Sequence, residues 1–149
     1  MNSISPSTGL DICVHQSSYS PPGSGPSFAT LFAGQTADSD ADGDGVAALV
    51  EYALGGSTGG NDVAKLPGVV RNGNLLSMTV VERVNDPKLS VQAQWCGDLG
   101  AGGWSSSGVV RNVDADQSEV PAGFQRATYQ VDCTGVDKRF MRISISINN

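Results

Sequence analysis

Two hydrophobic periods divide this chain. From Leu66 onward apolar and polar residues alternate: Leu76, Met78 and Val80 against Ser77 and Thr79, then Leu89, Val91, Ala93 and Trp95 against Ser90, Gln92 and Gln94. The same alternation returns in Ala127, Tyr129 and Val131, and in Met141, Ile143, Ile145 and Ile147. One apolar and one polar face is what antiparallel strands need when they cover a core from one side. Asn72-Gly73 is a hairpin signal, expected as a type I′ turn with positive φ at both central positions. Asn85-Asp86-Pro87 and Val120-Pro121-Ala122-Gly123 mark further turns. The pattern predicts a mainly β fold, an antiparallel β-sandwich of immunoglobulin-like or jelly-roll-like kind over residues 66–149.

Ahead of it the period is helical. Phe28, Leu31 and Phe32 share one face of a short helix over 28–33, with Ser27 as its cap and Gly34 as its stop. A second helix fits 47–54, with Leu49, Val50, Tyr52 and Ala53 available for packing and Gly55-Gly56 ending it. Residues 57–62 read as a flexible connection. Residues 1–27 are rich in Ser, Pro and Gly and carry too little apolar surface to offset their ordering entropy, so they read as a flexible tail or linker. The expected organisation is a tail over 1–27, a helix–loop–helix over 28–56 and the β body over 66–149, with 28–149 as one structural unit.

Composition changes this picture at one place. Glycine, at 19 of 149 residues, suits a turn-rich β body. The net charge of −6 comes from 15 acids and nine bases. Asp38, Asp40, Asp42, Asp44 and Glu51 fall within fourteen residues that hold no Lys or Arg, and without them ten acids face nine bases. One short segment therefore carries nearly all the net charge. It would repel a phosphate backbone, and no basic stripe compensates for it, which argues against nucleic acid as a partner. No apolar run approaches the roughly 18 residues that cross a bilayer, so membrane insertion is not expected. No signal peptide is recognisable in the chain as given.

The spacing of the acids is chemical. An EF-hand loop places oxygen ligands at positions 1, 3, 5, 7 and 12, with glycine at 6. Counted from Asp40, those positions are Asp40, Asp42, Asp44, the Val46 carbonyl and Glu51, and Gly45 stands at position 6. Alternating carboxylates on a tight loop converge on one point, and Glu51 swings back from the following helix to close the shell. Without a cation the aspartates repel one another, whereas with Ca²⁺ they ligate it. A cage of carboxylates plus a carbonyl suits seven-coordinate Ca²⁺ better than Mg²⁺. A register starting at Asp38 would put Leu49 at position 12, which cannot ligate, so Asp38 is assigned to the outer shell. Position 8 is Ala47, position 9 is Ala48 and the chain has no second loop. This is a lone hand, expected to bind on the order of 10⁻⁶ to 10⁻³ M and to act as a structural ion site.

Asp40-x-Asp42-x-Asp44-Gly45 running into Leu49-x-Glu51-Tyr52-Ala53-Leu54-Gly55-Gly56 resembles the calcium-loop modules near the C-termini of large secreted bacterial proteins, relatives of dockerin and thrombospondin type 3 loops. Val91-Gln92-Ala93-Gln94-Trp95, the Asp98-Leu99 turn, Trp104 and Arg139-Phe140-Met141-Arg142-Ile143 resemble the β-rich ending of such modules, so the likeness spans about residues 28–147. It implies an extracellular or cell-surface accessory module that binds calcium and carries no activity. A polysaccharide or another surface protein is its expected partner besides the ion. Dockerins carry a duplicated loop and this chain a single one, which argues against cohesin-type docking.

The remaining chemistry is sparse. His15 is the sole histidine and lies in the tail, where no triad could hold it rigidly. Glu82, Glu119, Asp98, Asp114 and Asp116 fall in turn-like or polar-face settings, and no two stand out as a glycosidase pair. No GxGxxG or P-loop stands in a strand–helix context. An enzyme is not expected. Cys13, Cys96 and Cys133 are odd in number, and Cys96 and Cys133 fall on opposite faces of their strands, so both a bridge and free thiols stay open. Zinc has no ligand cluster. Trp95 and Tyr129 are expected in the core. Trp104 either folds over the sandwich edge or is exposed to stack on a sugar ring, the alternative reading being a carbohydrate-binding module.

Overall fold

A computed structural model describes residues 25–148. Most of the expected tail, with Cys13 and His15, lies outside the described residues. The elements run α1 (Phe28–Leu31), α2 (Ala48–Leu54), a 3₁₀ turn (Val63–Lys65), β1 (Val69–Asn72), β2 (Leu75–Arg83), β3 (Leu89–Cys96), β4 (Val110–Val113), β5 (Phe124–Asp132) and β6 (Phe140–Ile147). The strands form two antiparallel sheets, one ordered β1-β2-β5-β4 and the other β3-β6. The fold is mainly β and sandwich-like. Among the described residues six strands, split four and two, are fewer than the seven of an immunoglobulin sandwich or the eight of a jelly roll.

The alternating residues explain how the sheets meet. Met78 pairs with Tyr129 and Leu76 with Val131 in the larger sheet, while Ala93 pairs with Ile143 and Trp95 with Met141 in the smaller one. These side chains share one core, which Ala53 and Leu54 of α2 also enter. A second apolar cluster of Phe32, Ala48, Leu49 and Tyr52 packs against Leu89, Ile145 and Ile147 of the smaller sheet. Phe28 stacks on Phe32 at 5.5 Å, and both rings meet Tyr52 edge-on at 5.5 and 5.8 Å. Seven residues are too few for a helix to persist alone in water, so α2 owes its existence to this burial.

Several expectations change. The hairpin between β1 and β2 pairs Asn72 with Leu75, so its central residues are Gly73 and Asn74. Only Gly73 has positive φ (58°), the signature of a type II′ turn and not of the expected type I′. β1 and β4 are exposed throughout and show no alternation: the hairpin signal at Asn72-Gly73 calls for a strand before the turn, whereas no pattern marks β4. Residues 25–27, assigned to the tail, are tied to the body: Gly25 N–H donates to the Asn85 carbonyl at 2.6 Å, and the Pro26 carbonyl lies 2.9 Å from Tyr52 Oη. α1 stops at Leu31, two residues short, and Ser27 gives it no side-chain cap bond, its hydroxyl meeting that of Thr30 at 3.0 Å. Cys96, placed on a polar face, is fully buried, and just beyond it the chain returns to bridge Ser105 with Trp95. Cys96 and Cys133 are both free, which closes the question of a bridge between them. Trp95 is half-buried, its ring packed on the core and capped by the Arg139 guanidinium at 4.0 Å.

Candidate metal centre

The acidic loop lies between α1 and α2 and is held by its own carboxylates. Asp40 accepts from Gly43 N–H (2.8 Å) on one oxygen and from Gly45 N–H (2.9 Å) on the other. Asp42 accepts from Asp44 N–H at 3.3 Å, and Asp44 from Val46 N–H at 2.7 Å. Gly45 takes φ 90°, a left-handed conformation that a side chain would strain. The loop then runs into α2, whose first N–H groups need acceptors and find them upstream: Ala48 donates to Ser39 O (2.7 Å) and Leu49 to Ala37 O (3.0 Å). Backbone carbonyls thus replace the missing cap side chain at Ala47. Asp38 is exposed and outside the carboxylate groups described next.

Two overlapping groups of carboxylates result. Oxygens of Asp40, Asp42 and Asp44 lie within 4.8 Å of one another, and so do oxygens of Asp44, Glu51 and Asp62. Calcium–oxygen distances of 2.3–2.6 Å put ligands on opposite sides of one ion about 5 Å apart, so both groups have ligand spacing. Of the five residues the sequence nominates, Asp40, Asp42 and Asp44 fall in the first group and Glu51 in the second, with Asp44 common to both. Val46 is buried at the loop's end, its N–H bonded to Asp44. Asp62 is the residue the sequence reading missed.

Residues 57–62 are accordingly not a loose connection at their end. Asp62 is buried, accepts from Ser57 N–H at 2.7 Å and pairs with Lys65 at 3.0 Å. Its own N–H donates to Asp44 at 2.5 Å, docking it onto the loop. The Ser57 hydrogen bond and the Lys65 ammonium hold its carboxyl below the usual range against the opposing effect of burial. Lys65 also reaches the carbonyl of Gly55, at the end of α2. Spacing within twelve residues could not show Asp62. The available signal was an acid in a Gly/Ser/Asn segment directly after the helix that carries Glu51.

Glu51 is the anomaly. It is 2% exposed, and neither side-chain oxygen has a hydrogen-bond partner among the described residues. Burial pushes its carboxyl above the ordinary value, and Asp42, Asp62, Asp44 and Asp40 add to the rise. Two like charges 4.8 Å apart repel by about 3–4 kcal/mol at an effective dielectric near 20. A buried, unpartnered carboxylate among carboxylates lacks a positive charge, and a divalent cation would supply it together with the missing contacts. The donor set is all oxygen, which suits a hard cation such as Ca²⁺.

Elsewhere one expectation reverses. Glu82, assigned to a polar or turn-like setting, is 4% exposed and continues the inward face of Leu76, Met78 and Val80. It pairs with Arg111 at 2.6 Å and accepts from Tyr129 Oη at 2.7 Å, a complete internal arrangement. Trp104 is half-buried with the Arg142 guanidinium 4.2 Å over its ring. The exposed large hydrophobics among the described residues are aliphatic apart from Phe140, so no row of open aromatic rings presents itself for sugar stacking there. No helix is long and apolar enough to cross a membrane among the described residues. The chain matches no family model and no curated protein.

Proposed function

We propose that this chain is a non-catalytic calcium-binding module, a rigid structural or attachment unit of a larger secreted or surface protein. The observation that carries the reading is Glu51, deeply buried at position 12 of the loop with both carboxylate oxygens unpartnered beside Asp44 and Asp62. In this reading Asp40, Asp42, Asp44, the Val46 carbonyl and Glu51 hold Ca²⁺, and Phe28–Leu31 and Ala48–Leu54 are the arms of a reduced, unpaired EF-hand. The ion offsets the repulsion within the loop and fixes α2, which carries Tyr52, Ala53 and Leu54 into the two apolar clusters. A cation at that point therefore braces the helices against both sheets. An affinity in the weaker part of the EF-hand range would keep the site filled where calcium is millimolar, which supports an extracellular setting. The likeness of the DxDGDG…EYALG stretch to calcium-loop modules of secreted bacterial proteins supports the same assignment.

The test is thermal unfolding of the full chain in excess Ca²⁺ and in chelator. The expected result is a higher melting temperature with Ca²⁺, abolished in Glu51→Gln. Superimposable curves for the unaltered chain would overturn the reading.

A further inference from the structure

We infer that the cation's shell extends beyond the twelve-residue loop to Asp62, so that the ion clamps the connection after α2 to the loop. The inference rests on the calcium reading above and adds a ligand that the loop's spacing does not contain. Asp62 lies eleven residues past Glu51, yet its carboxylate shares one ligand-sized space with those of Asp44 and Glu51. Glu51 supplies the independent sign of a ligand, being 2% exposed and without a partner on either oxygen. Asp62 is held in place by bonds that leave it able to ligate. Ser57 N–H and Lys65 Nζ occupy one site on each oxygen, whereas a carboxylate has about four. The Asp62 N–H bond to Asp44 fixes the residue to the loop through its backbone as well.

The close approach has a structural cost that only glycine meets. A Cβ on Gly56 would stand 2.7 Å from Asp62 Oδ2 and 2.9 Å from Glu51 Cβ. The chain leaves α2 through a glycine and returns Asp62 against the face of the helix that bears Glu51. Lys65, with 45% of its side chain exposed, balances one charge from the solvent side, so the group Asp44–Glu51–Asp62 keeps a net deficit of positive charge. That deficit is what a divalent cation neutralises. Through Asp62 the ion would also order the 3₁₀ turn Val63–Lys65 that leads into β1.

Calcium titration by calorimetry on the full chain tests this, with Asp62→Asn, Glu51→Gln and the exposed Asp137→Asn as control. Asp62→Asn should weaken Ca²⁺ binding at least tenfold, with Asp137→Asn unchanged. Hydrogen exchange on the unaltered chain, in Ca²⁺ against chelator, should show slowed amides across residues 57–65, and it decides the matter alone if Asp62→Asn fails to fold. Wild-type affinity in Asp62→Asn, or unchanged exchange over 57–65, with binding still lost in Glu51→Gln, would overturn the inference and leave the loop reading intact. No calcium binding by the unaltered chain would overturn both.

Discussion

The described residues bury four acids, and the helix–loop region and the β body treat theirs differently. Glu82, in the larger sheet, faces Arg111 and the Tyr129 hydroxyl. Asp86, in the turn before β3, accepts from Tyr52 Oη at 2.7 Å and from Lys88 N–H at 2.9 Å. Asp62 has Ser57 and Lys65. Glu51 alone has no partner, although it is as buried as Glu82. Burying a charge is costly unless it is paired, and this fold pairs its charges wherever it can. The difference supports the proposal that Glu51 takes its partner from outside the chain, whereas Glu82 has its partners within it.

The contrast breaks most sharply at Arg111. Removing it in Arg111→Ala leaves Glu82 buried with only a phenol, and the expected loss is about 3 kcal/mol, near the lower end for a broken buried pair because Arg111 is one-third exposed. That loss should be the same in Ca²⁺ and in chelator, as read by urea denaturation. Glu51 should behave the opposite way. At a calcium concentration near 100 times Kd the ion contributes about 2.7 kcal/mol, and Glu51→Gln should abolish that gain. In chelator the same substitution should leave stability unchanged or raised, since it removes a buried charge surrounded by acids. Destabilisation by Glu51→Gln in chelator would mean that the protein itself already satisfies this carboxylate. Gly56→Ala comes next, at about 1–2 kcal/mol, because its Cβ would press on Glu51 and Asp62. Its weakening of calcium binding should exceed that of an alanine placed at Gly59, where nothing lies within 4 Å.

The loop and the β body were legible to different depths. The grouping of Asp40, Asp42 and Asp44 could be read from spacing because a tight local loop brings alternating residues together by its own turns, and Glu51 meets that group through Asp44. Asp62 could not, since its approach depends on how the chain leaves α2, which is tertiary. The long strands β2, β3, β5 and β6 announced themselves by alternation, whereas β1 and β4, exposed on both faces, have no period to read. Glu82 is instructive because its even-numbered parity with Leu76, Met78 and Val80 was in plain view. Side-chain polarity outweighed parity in the reading, and the missing fact was the partner: Arg111 lies on β4, directly across from Tyr129. A charge is admitted to a core by its counter-charge, and here that counter-charge sits on a strand that alternation does not mark.

The smallest effect probes how Glu82 divides its load. Tyr129→Phe removes one donor and leaves Arg111 in place, so the cost should be about 1–1.5 kcal/mol at pH 8, well below that of Arg111→Ala. Burial, and then the hydrogen bond to Glu82, push the Tyr129 phenol above its ordinary value. A group whose folded pKa is raised gives stability that is present below the unfolded pKa and lost as pH rises through the folded one. For Tyr129 the advantage of the unaltered chain over Tyr129→Phe should hold up to about pH 9 and shrink beyond it, as an unfolded tyrosine, half-ionised near pH 10, loses its proton. Denaturation of both chains at pH 8, 10 and 11 checks this. An advantage that stays constant across the series would show that the phenol proton does not serve Glu82, and that Arg111 alone accounts for its burial.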